Sequence, residues 1–154
     1  MIIREATVED IEALVELWKE FIDFHQSTDH FFTRTSDGHE RFGEFALERI
    51  RDQNWLVLVA VIDQRIVGHC LATIQEYPPV YIDTRYGYIQ DIAVTEKYRY
   101  NGLGARLFGK ALEWLTERGV SRIQLDAVAN NPVSRGFWKK MGFRDFMIRM
   151  SKEV

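Results

Sequence analysis

The sequence predicts an α/β fold built on a mixed, mostly antiparallel central sheet with helices on both faces. The first observation behind this prediction is the run Trp55–Ile62, which is short, rich in β-branched residues and apolar throughout. Such a run is typical of a strand buried on both sides, which helices must then cover. The second observation is that strand-like and helix-like periods alternate along the chain, in the order β-α-α-β-β-β-α-β-α-β.

The N-terminal part of the chain is predicted to supply one strand and two helices. Ile2–Arg4 resembles a short strand, and Thr7 with Asp10 resembles a capping box, so a helix should begin there. The helical period is lost from His25 to Gly38 and returns in a second helix from about His39 to Arg51. The irregular stretch between the two helices is a candidate substrate loop. The apolar face of the first helix consists of Ile11, Leu14, Val15, Trp18 and Phe21 or Ile22.

A hairpin and a further strand are predicted in the middle of the chain. Asp63–Arg65 forms a tight polar turn after the buried run, and Ile66–Gln75 forms its antiparallel partner. Pro78 and Pro79 end that strand because proline cannot donate to a ladder. Tyr88–Val94 is the next predicted strand.

The C-terminal part is predicted to contain two helices and two strands. Gly102–Arg118 forms a helix that Gly119 ends, and Ile123–Val128 forms a strand. Asn131–Pro132 is a suitable N-cap and first residue for the last helix. Phe143–Met150 is predicted to be the final strand.

Length and composition limit the organisation and the partners. A chain of 154 residues with 46% hydrophobic content suits one domain, predicted to span residues 1–154. The formal net charge is -3 and basic residues form no stripe, so nucleic acid is not an expected partner. Apolar runs are too short for a membrane span, and we expect no membrane partner. Cys70 is the only cysteine and no secretory signal is evident, so a cytoplasmic location is expected.

The segment from Arg99 to Gly104 has the character of an anion-binding loop. Its glycines allow close approach of the backbone to a ligand, and the helix that follows presents its positive end to a phosphate. A nucleoside triphosphatase is disfavoured because Ala105 and Arg106 follow Gly104 where Lys and Ser or Thr are needed. A dinucleotide site is disfavoured because Leu107 stands where a third small residue is needed. The pair of glycines by itself is equally compatible with a simple turn.

With its flanking residues, this loop resembles the acyl-CoA loop of the GNAT superfamily of N-acetyltransferases, in which Arg99, Gly102 and Gly104 match the pattern. The segment Asn131–Phe143 resembles the second signature of the same family, and the predicted element order matches its fold over nearly the whole chain. The resemblance implies acetyl-CoA as co-substrate. It also implies transfer of the acetyl group to a primary amine of a small molecule, or of a peptide or protein.

The resemblance further implies a set of cofactor-binding residues. Main-chain groups of Ile92 and Val94 would bind the pantetheine where two parallel strands separate. Asn131 would reach the pantetheine from the far side, although it is a helix cap whatever the function. The pyrophosphate would be held by Arg99 and by backbone groups of the loop, and the cofactor would be lined by aromatic and small residues of the second signature. The loop residues are Tyr100, Asn101, Gly102, Leu103, Gly104 and Ala105. The residues of the second signature are Ser134, Phe137 and Trp138.

Catalytic groups are less evident from the sequence. Many family members carry a tyrosine that protonates the departing thiolate, and Trp138 occupies its place here. An indole donates a hydrogen bond but is no general acid in the normal range, so solvent or another tyrosine, Tyr86 or Tyr88, is the candidate donor. Asp91 is the first candidate base, and a structural carboxylate is an equally simple explanation for it. Glu76 is the second candidate, and a solvated strand end is the simpler explanation for that residue. A non-catalytic acyl-CoA-binding module is the alternative function.

Other polar clusters indicate no additional chemistry. The spacing of His25, His30 and His39 matches no ordinary zinc set, so no metal is expected. Cys70 follows His69 in a strand, and because alternation turns the two to opposite faces, a nucleophile pair is disfavoured and a buried, inert thiol is expected. Acceptor recognition is assigned by the resemblance to residues 24–42 and 75–85. Family analogy makes a homodimer a candidate assembly.

Overall fold

The computed structural model describes residues 1–154 as one five-stranded sheet with helices against both faces. Short 3-10 turns precede the first helix and connect some of the other elements. The strands and helices are β1 (Ile2–Glu5), α1 (Ile11–Thr28), α2 (Gly38–Ile50), β2 (Trp55–Ile62), β3 (Arg65–Glu76), β4 (Arg85–Val94), α3 (Leu103–Glu117), β5 (Ile123–Gln124) and α4 (Pro132–Lys140).

The sheet is mixed, and its strands follow one another in chain order. β1 to β4 pair successively in antiparallel fashion, while β5 pairs with β4 in parallel. The predicted hairpin is confirmed, and Asp63 and Gln64 turn it with φ angles of 49° and 62°. Positive φ at both central residues is the geometry that matches the twist of the flanking strands.

Helices cover both faces of the sheet, as the buried run predicts. Leu56 and Leu58 of β2 belong to a cluster with α3 and α4, whereas Val57 and Val59 belong to a cluster with α1 and α2. The two clusters lie on opposite faces because side chains alternate along a strand. None of the helices is both long enough and apolar enough to cross a lipid bilayer.

Asp10 anchors the start of α1. Its carboxylate accepts hydrogen bonds from the Thr7 backbone at 2.7 Å and from the Arg4 guanidinium at 2.7 and 2.9 Å. The hydrogen bond with Arg4 is the main reason why the pKa of Asp10 falls to about 2. The predicted helix start is confirmed, with one 3-10 turn over Val8–Asp10 before α1 begins at Ile11.

The C-terminal strands differ from the prediction. β5 contains only Ile123–Gln124 instead of Ile123–Val128, and Phe143–Met150 forms no strand. Alternating side chains make a strand only where a neighbouring strand completes the ladder, and β5 leaves the sheet after two residues. Met147 and Ile148 accordingly remain 78% and 85% exposed. The predicted final strand is therefore wrong, and the observed order ends with α4.

Candidate active site

The site begins where β4 and β5 separate. Their pairing ends at Tyr88 and Gln124, so the C-terminal half of β4 has no strand on that side. On its other edge β4 stays paired with β3, and the Thr95 N–H donates to the Val67 carbonyl at 2.9 Å. Because hydrogen-bonded pairs alternate along an antiparallel ladder, the peptide groups of Ile92 and Val94 point away from β3, toward the open edge.

A β-bulge in β4 determines which side chains share a face. Leu71 of β3 lies opposite Asp91, and Ala72 lies opposite Ile89, so Gln90 is an extra residue without a partner. Beyond the bulge the alternation is inverted. Asp91 therefore emerges on the same face as Tyr88, on the side of the sheet that α1 covers.

Tyr88 forms a polar cluster with residues that follow β5. Its hydroxyl donates to Asp126 Oδ2 at 3.0 Å, and the same oxygen lies 3.0 Å from Nη2 of Arg149. Burial, and then the hydrogen bond with Asp126, raises the pKa of Tyr88 to about 12. The phenol therefore stays protonated at neutral pH and acts as a donor. Sequence reasoning did not identify Asp126, because nothing in its neighbourhood indicates that it meets a residue of β4.

The two candidate bases have different surroundings. The Asp91 side chain is half-buried and forms no hydrogen bond within the chain, and desolvation raises its pKa to about 7. Glu76 is exposed at the last position of β3, opposite Arg85 and away from the opening between β4 and β5. Asp91 combines a pKa near neutrality with a place on the same face as Tyr88.

The segment Arg99–Gly104, called the glycine loop below, meets the second signature, Asn131–Phe143, at the start of α3. Gly102 has a φ of 76°, in the left-handed region, and is the N-cap of α3. A Cβ at Gly104 would lie 3.3 Å from Cε2 of Phe137 in α4, so a larger residue would collide with that ring. The backbone N–H groups of Leu103, Gly104 and Ala105 lie in the first turn of a 15-residue helix, where they have no carbonyl acceptor within the helix. This end of α3 can bind an anion.

Arg99 turns back toward the sheet. Its Nε donates to the Val94 carbonyl at 2.8 Å, and its Nη2 lies 3.3 Å from Oε1 of Glu20. Glu20 also accepts from the Thr95 hydroxyl at 2.7 Å and from the Glu96 backbone N–H at 2.8 Å. Sequence reasoning did not identify Glu20 as part of the site, and its contacts with the loop were not predicted.

The second signature is divided between a helix cap and the hydrophobic core. Asn131 is buried, and its side-chain oxygen accepts from the Ser134 backbone at 3.0 Å, which confirms the predicted cap. Trp138 is 6% exposed and contacts the rings of Phe108 and Phe143, so its indole lies in the core. Leu103 of the glycine loop is 4% exposed, and its side chain is likewise part of the core.

Aromatic and charged residues line the loop between β3 and β4. Tyr77 and Tyr86 stack with ring centroids 4.4 Å apart, and Gln124 donates to the Tyr77 hydroxyl at 2.8 Å. Asp83 of this loop is paired with Arg122 at 3.5 Å. These contacts join the loop to β5 and to the residue that directly precedes it, at the side of the opening.

The remaining sequence candidates lie apart from this opening. No group of three His, Cys, Asp or Glu side chains is arranged to hold a metal ion. Cys70 is fully buried, and desolvation raises the pKa of its thiol. His69 is also fully buried, and neither of its ring nitrogens has a hydrogen-bond partner. Cys70 belongs to the cluster on the α3 face while His69 contacts the ring of Phe42, so the expected separation of the two is confirmed.

Comparison with known proteins identifies the family. A protein of Archaeoglobus fulgidus named "Uncharacterized N-acetyltransferase" is 29% identical over 144 residues, covering 94% of this chain and 93% of that protein. Human N-alpha-acetyltransferase 30 is 28% identical over 92 residues, covering 58% of this chain and 25% of that protein.

Solved structures give the same result for the fold. A mutant of the BH1408 protein of Bacillus halodurans has a TM-score of 0.88 at 25% identity, covering 100% of this chain and 99% of that one. The aminoglycoside N-acetyltransferase AAC(6')-Iy in complex with CoA has a TM-score of 0.73 at 19% identity, covering 99% and 100%. The family model described as "Acetyltransferase (GNAT) family" matches residues 12–143. The chain belongs to the GNAT family of acetyltransferases.

Proposed function

We propose that this acetyl-CoA-dependent acyltransferase acetylates the N-terminal α-amine of a peptide or protein, and that Asp91, Tyr88 and Asp126 provide its polar catalytic groups. One observation carries the proposal: these three side chains lie beside the opening between β4 and β5. The bulge at Gln90 and the Tyr88–Asp126 hydrogen bond support the grouping.

The residues beside this opening fit acetyl-CoA. Outward-facing peptide groups of Ile92 and Val94 can pair with the amides of the pantetheine as a strand would. The N–H groups of residues 103–105 and the positive end of α3 suit the pyrophosphate. The close contact between Gly104 and Phe137 leaves little room for a side chain where the loop meets α4.

The acceptor amine must lose a proton before it can attack the acetyl thioester that acetyl-CoA supplies. A carboxylate near neutral pKa is suited to that transfer, and the pKa of Asp91 is raised to about 7. The carboxylate of Asp126 provides a second acceptor across the opening, hydrogen-bonded to Tyr88. Glu76 is exposed opposite Arg85, which argues against a role as the base.

Tyr88 is suited to donate to the departing sulfur. Its pKa of about 12 keeps the hydroxyl protonated through the neutral range. Because a thiol has an ordinary pKa of about 8.5, its thiolate is stable enough to leave with a hydrogen bond from such a donor and then to take a proton from solvent. This arrangement compensates for Trp138, whose indole is buried in the core.

The charges around the opening favour a peptide acceptor over a polycationic aminoglycoside. Arg149 pairs with Asp126, and Arg122 pairs with Asp83, so the charges of these two carboxylates near the opening are already balanced. The loop after β3 exposes apolar surface instead, with Tyr81 62% and Ile82 101% exposed. An amine attached to an apolar body suits this surface. The human relative named above is an N-alpha-acetyltransferase, which agrees with the proposal.

CoA release with a thiol-reactive dye tests the proposal. The acceptors are peptides with large apolar first residues, peptides with acidic first residues, polyamines and aminoglycosides. We expect saturable turnover with the apolar peptides and a loss of about 100-fold or more in kcat with Asp91→Asn. Glu16→Gln is the matched control, since Glu16 is an exposed residue of α1 that pairs only with Lys19.

Other outcomes contradict specific parts of the proposal. Turnover of aminoglycosides alone would refute the acceptor class. Turnover that survives Asp91→Asn would refute the assignment of the base. Tight binding of acetyl-CoA with no turnover of any acceptor would favour a non-catalytic acyl-CoA-binding module.

A further inference from the structure

Glu20 of α1 contacts three residues of the segment that leads from β4 into α3. We call this segment, residues 95–104, the cofactor loop. The Glu20 carboxylate accepts from the Thr95 hydroxyl at 2.7 Å and from the Glu96 backbone N–H at 2.8 Å, and it lies 3.3 Å from the Arg99 guanidinium. These partners are 75 to 79 residues away in the sequence. No other carboxylate of α1 contacts this loop through a hydrogen bond or an ion pair.

The three contacts act on the end of β4. Arg99 donates from Nε to the Val94 carbonyl, one of the peptide groups that face the opening. Glu20 accepts from Nη2 of the same guanidinium, and it also holds the two residues that directly follow Val94. The carboxylate therefore determines the path of residues 94–99, which leads into the glycine loop.

The surroundings of Glu20 allow these contacts to contribute energetically. The side chains of Glu20 and Arg99 are 38% and 30% exposed, so solvent screens the ion pair only in part. Hydrogen bonds to a charged group are shorter and stronger than neutral ones. The contacts also preorganise a loop whose Tyr100 has a φ of 63°, a conformation that non-glycine residues seldom adopt.

We propose that Glu20 is a positioning residue for acetyl-CoA binding, which holds Arg99 and the end of β4 in the geometry that the cofactor requires. The residue acts through its neighbours and need not contact the cofactor. The inference depends on acetyl-CoA binding, and it is independent of which amine accepts the acetyl group.

Calorimetric titration of the intact protein with acetyl-CoA provides the test. We expect Glu20→Ala to raise the Kd about tenfold, which corresponds to the loss of about one charged hydrogen bond in the binding-competent state. Glu16→Ala is the matched control, because Glu16 lies one turn earlier on α1 and pairs only with Lys19, and its Kd should equal that of the wild type. Amide hydrogen exchange in residues 94–104 should become faster in Glu20→Ala alone.

The conservative variant separates positioning from simple stabilisation. Gln at position 20 retains one oxygen for the Glu96 N–H and presents its NH2 group to the Thr95 hydroxyl, which can accept from it. The charge opposite Arg99 is lost, so Glu20→Gln should raise the Kd by about threefold. A stabilising role would lower the urea midpoint and leave the Kd of the folded protein unchanged. Wild-type affinity in a folded Glu20→Ala protein would overturn the proposal. If that variant does not fold, wild-type affinity in Glu20→Gln would overturn it equally.

Discussion

Asp91→Asn should make the protein more stable, and the gain should grow with pH. The pKa of this carboxyl is about 7 in the folded chain because of desolvation, against 3.8 ordinarily. Between these two values the folded state keeps a proton that the unfolded chain has released. Stability therefore falls as pH rises, and the penalty is absent below 3.8 and complete above about 7.

The magnitude follows from the same two pKa values. Linkage gives a penalty of about 2 kcal/mol near pH 5.5 and about 4 kcal/mol near pH 8.5. Asn carries no titrating group, so the difference in unfolding free energy between Asp91→Asn and the wild type should increase by about 2 kcal/mol over that range. Other titrating groups cancel in this double difference, because both proteins contain them.

Urea unfolding of the two proteins at both pH values, followed by tryptophan fluorescence, measures this difference. The same variant should lose activity, so that stability and turnover change in opposite directions. A stability difference that stays constant with pH would refute the reasoning. Asp91 would then titrate near its ordinary value, and it could not serve as a base poised at neutral pH.

Three further predictions concern the loop, the core and the buried histidine. Gly104→Val should lower acetyl-CoA affinity by about tenfold or more in a protein that still folds, because its side chain meets Phe137; calorimetry checks this, and wild-type affinity would contradict it. Leu107→Ala should cost about 2–5 kcal/mol in urea unfolding, since Leu107 is fully buried against the sheet, and a cost below about 1 kcal/mol would argue against that packing. His69 has its pKa lowered by burial from 6.5 to about 4, so it must stay neutral to fold, and stability is lost as pH falls through that interval. Relative to His69→Phe, the wild type should lose about 2 kcal/mol between about pH 7 and pH 5, and equal pH dependence of the two proteins would show that His69 is accessible to protons.

The strand and helix periods correctly predicted nearly every element. The buried run at Trp55–Ile62, the hairpin turn and the cap at Asn131 are signals that depend on adjacent residues, and the structure confirms each of them. The prediction of a final strand was wrong because a strand also depends on residues that are distant in the sequence. Alternation at Phe143–Met150 indicates what the segment can form, but a ladder also requires a neighbouring strand, and β5 is too short to provide one.

The cofactor loop could be predicted from the sequence more completely than the face of the sheet that carries Asp91 and Tyr88. Arg99, Gly102 and Gly104 lie within one short segment, and their pattern together with the second signature at Asn131–Phe143 was sufficient to predict acetyl-CoA as co-substrate and the family. Asp91 was named from its position in a strand, yet simple alternation would turn it away from Tyr88. The bulge that brings both to one face depends on pairing between β3 and β4.

The sequence by itself thus determined the order of the elements as far as α4, the two-sided burial of the sheet and the anion-binding loop, because each depends on residues within a few positions of one another. The tertiary structure alone decided the contacts between distant residues. Tyr88 and Asp126 are 38 positions apart, and Glu20 and Glu96 are 76 positions apart. A carboxylate that meets its partners only after the sheet and α1 have packed leaves no local pattern, and its role becomes visible only in the folded chain.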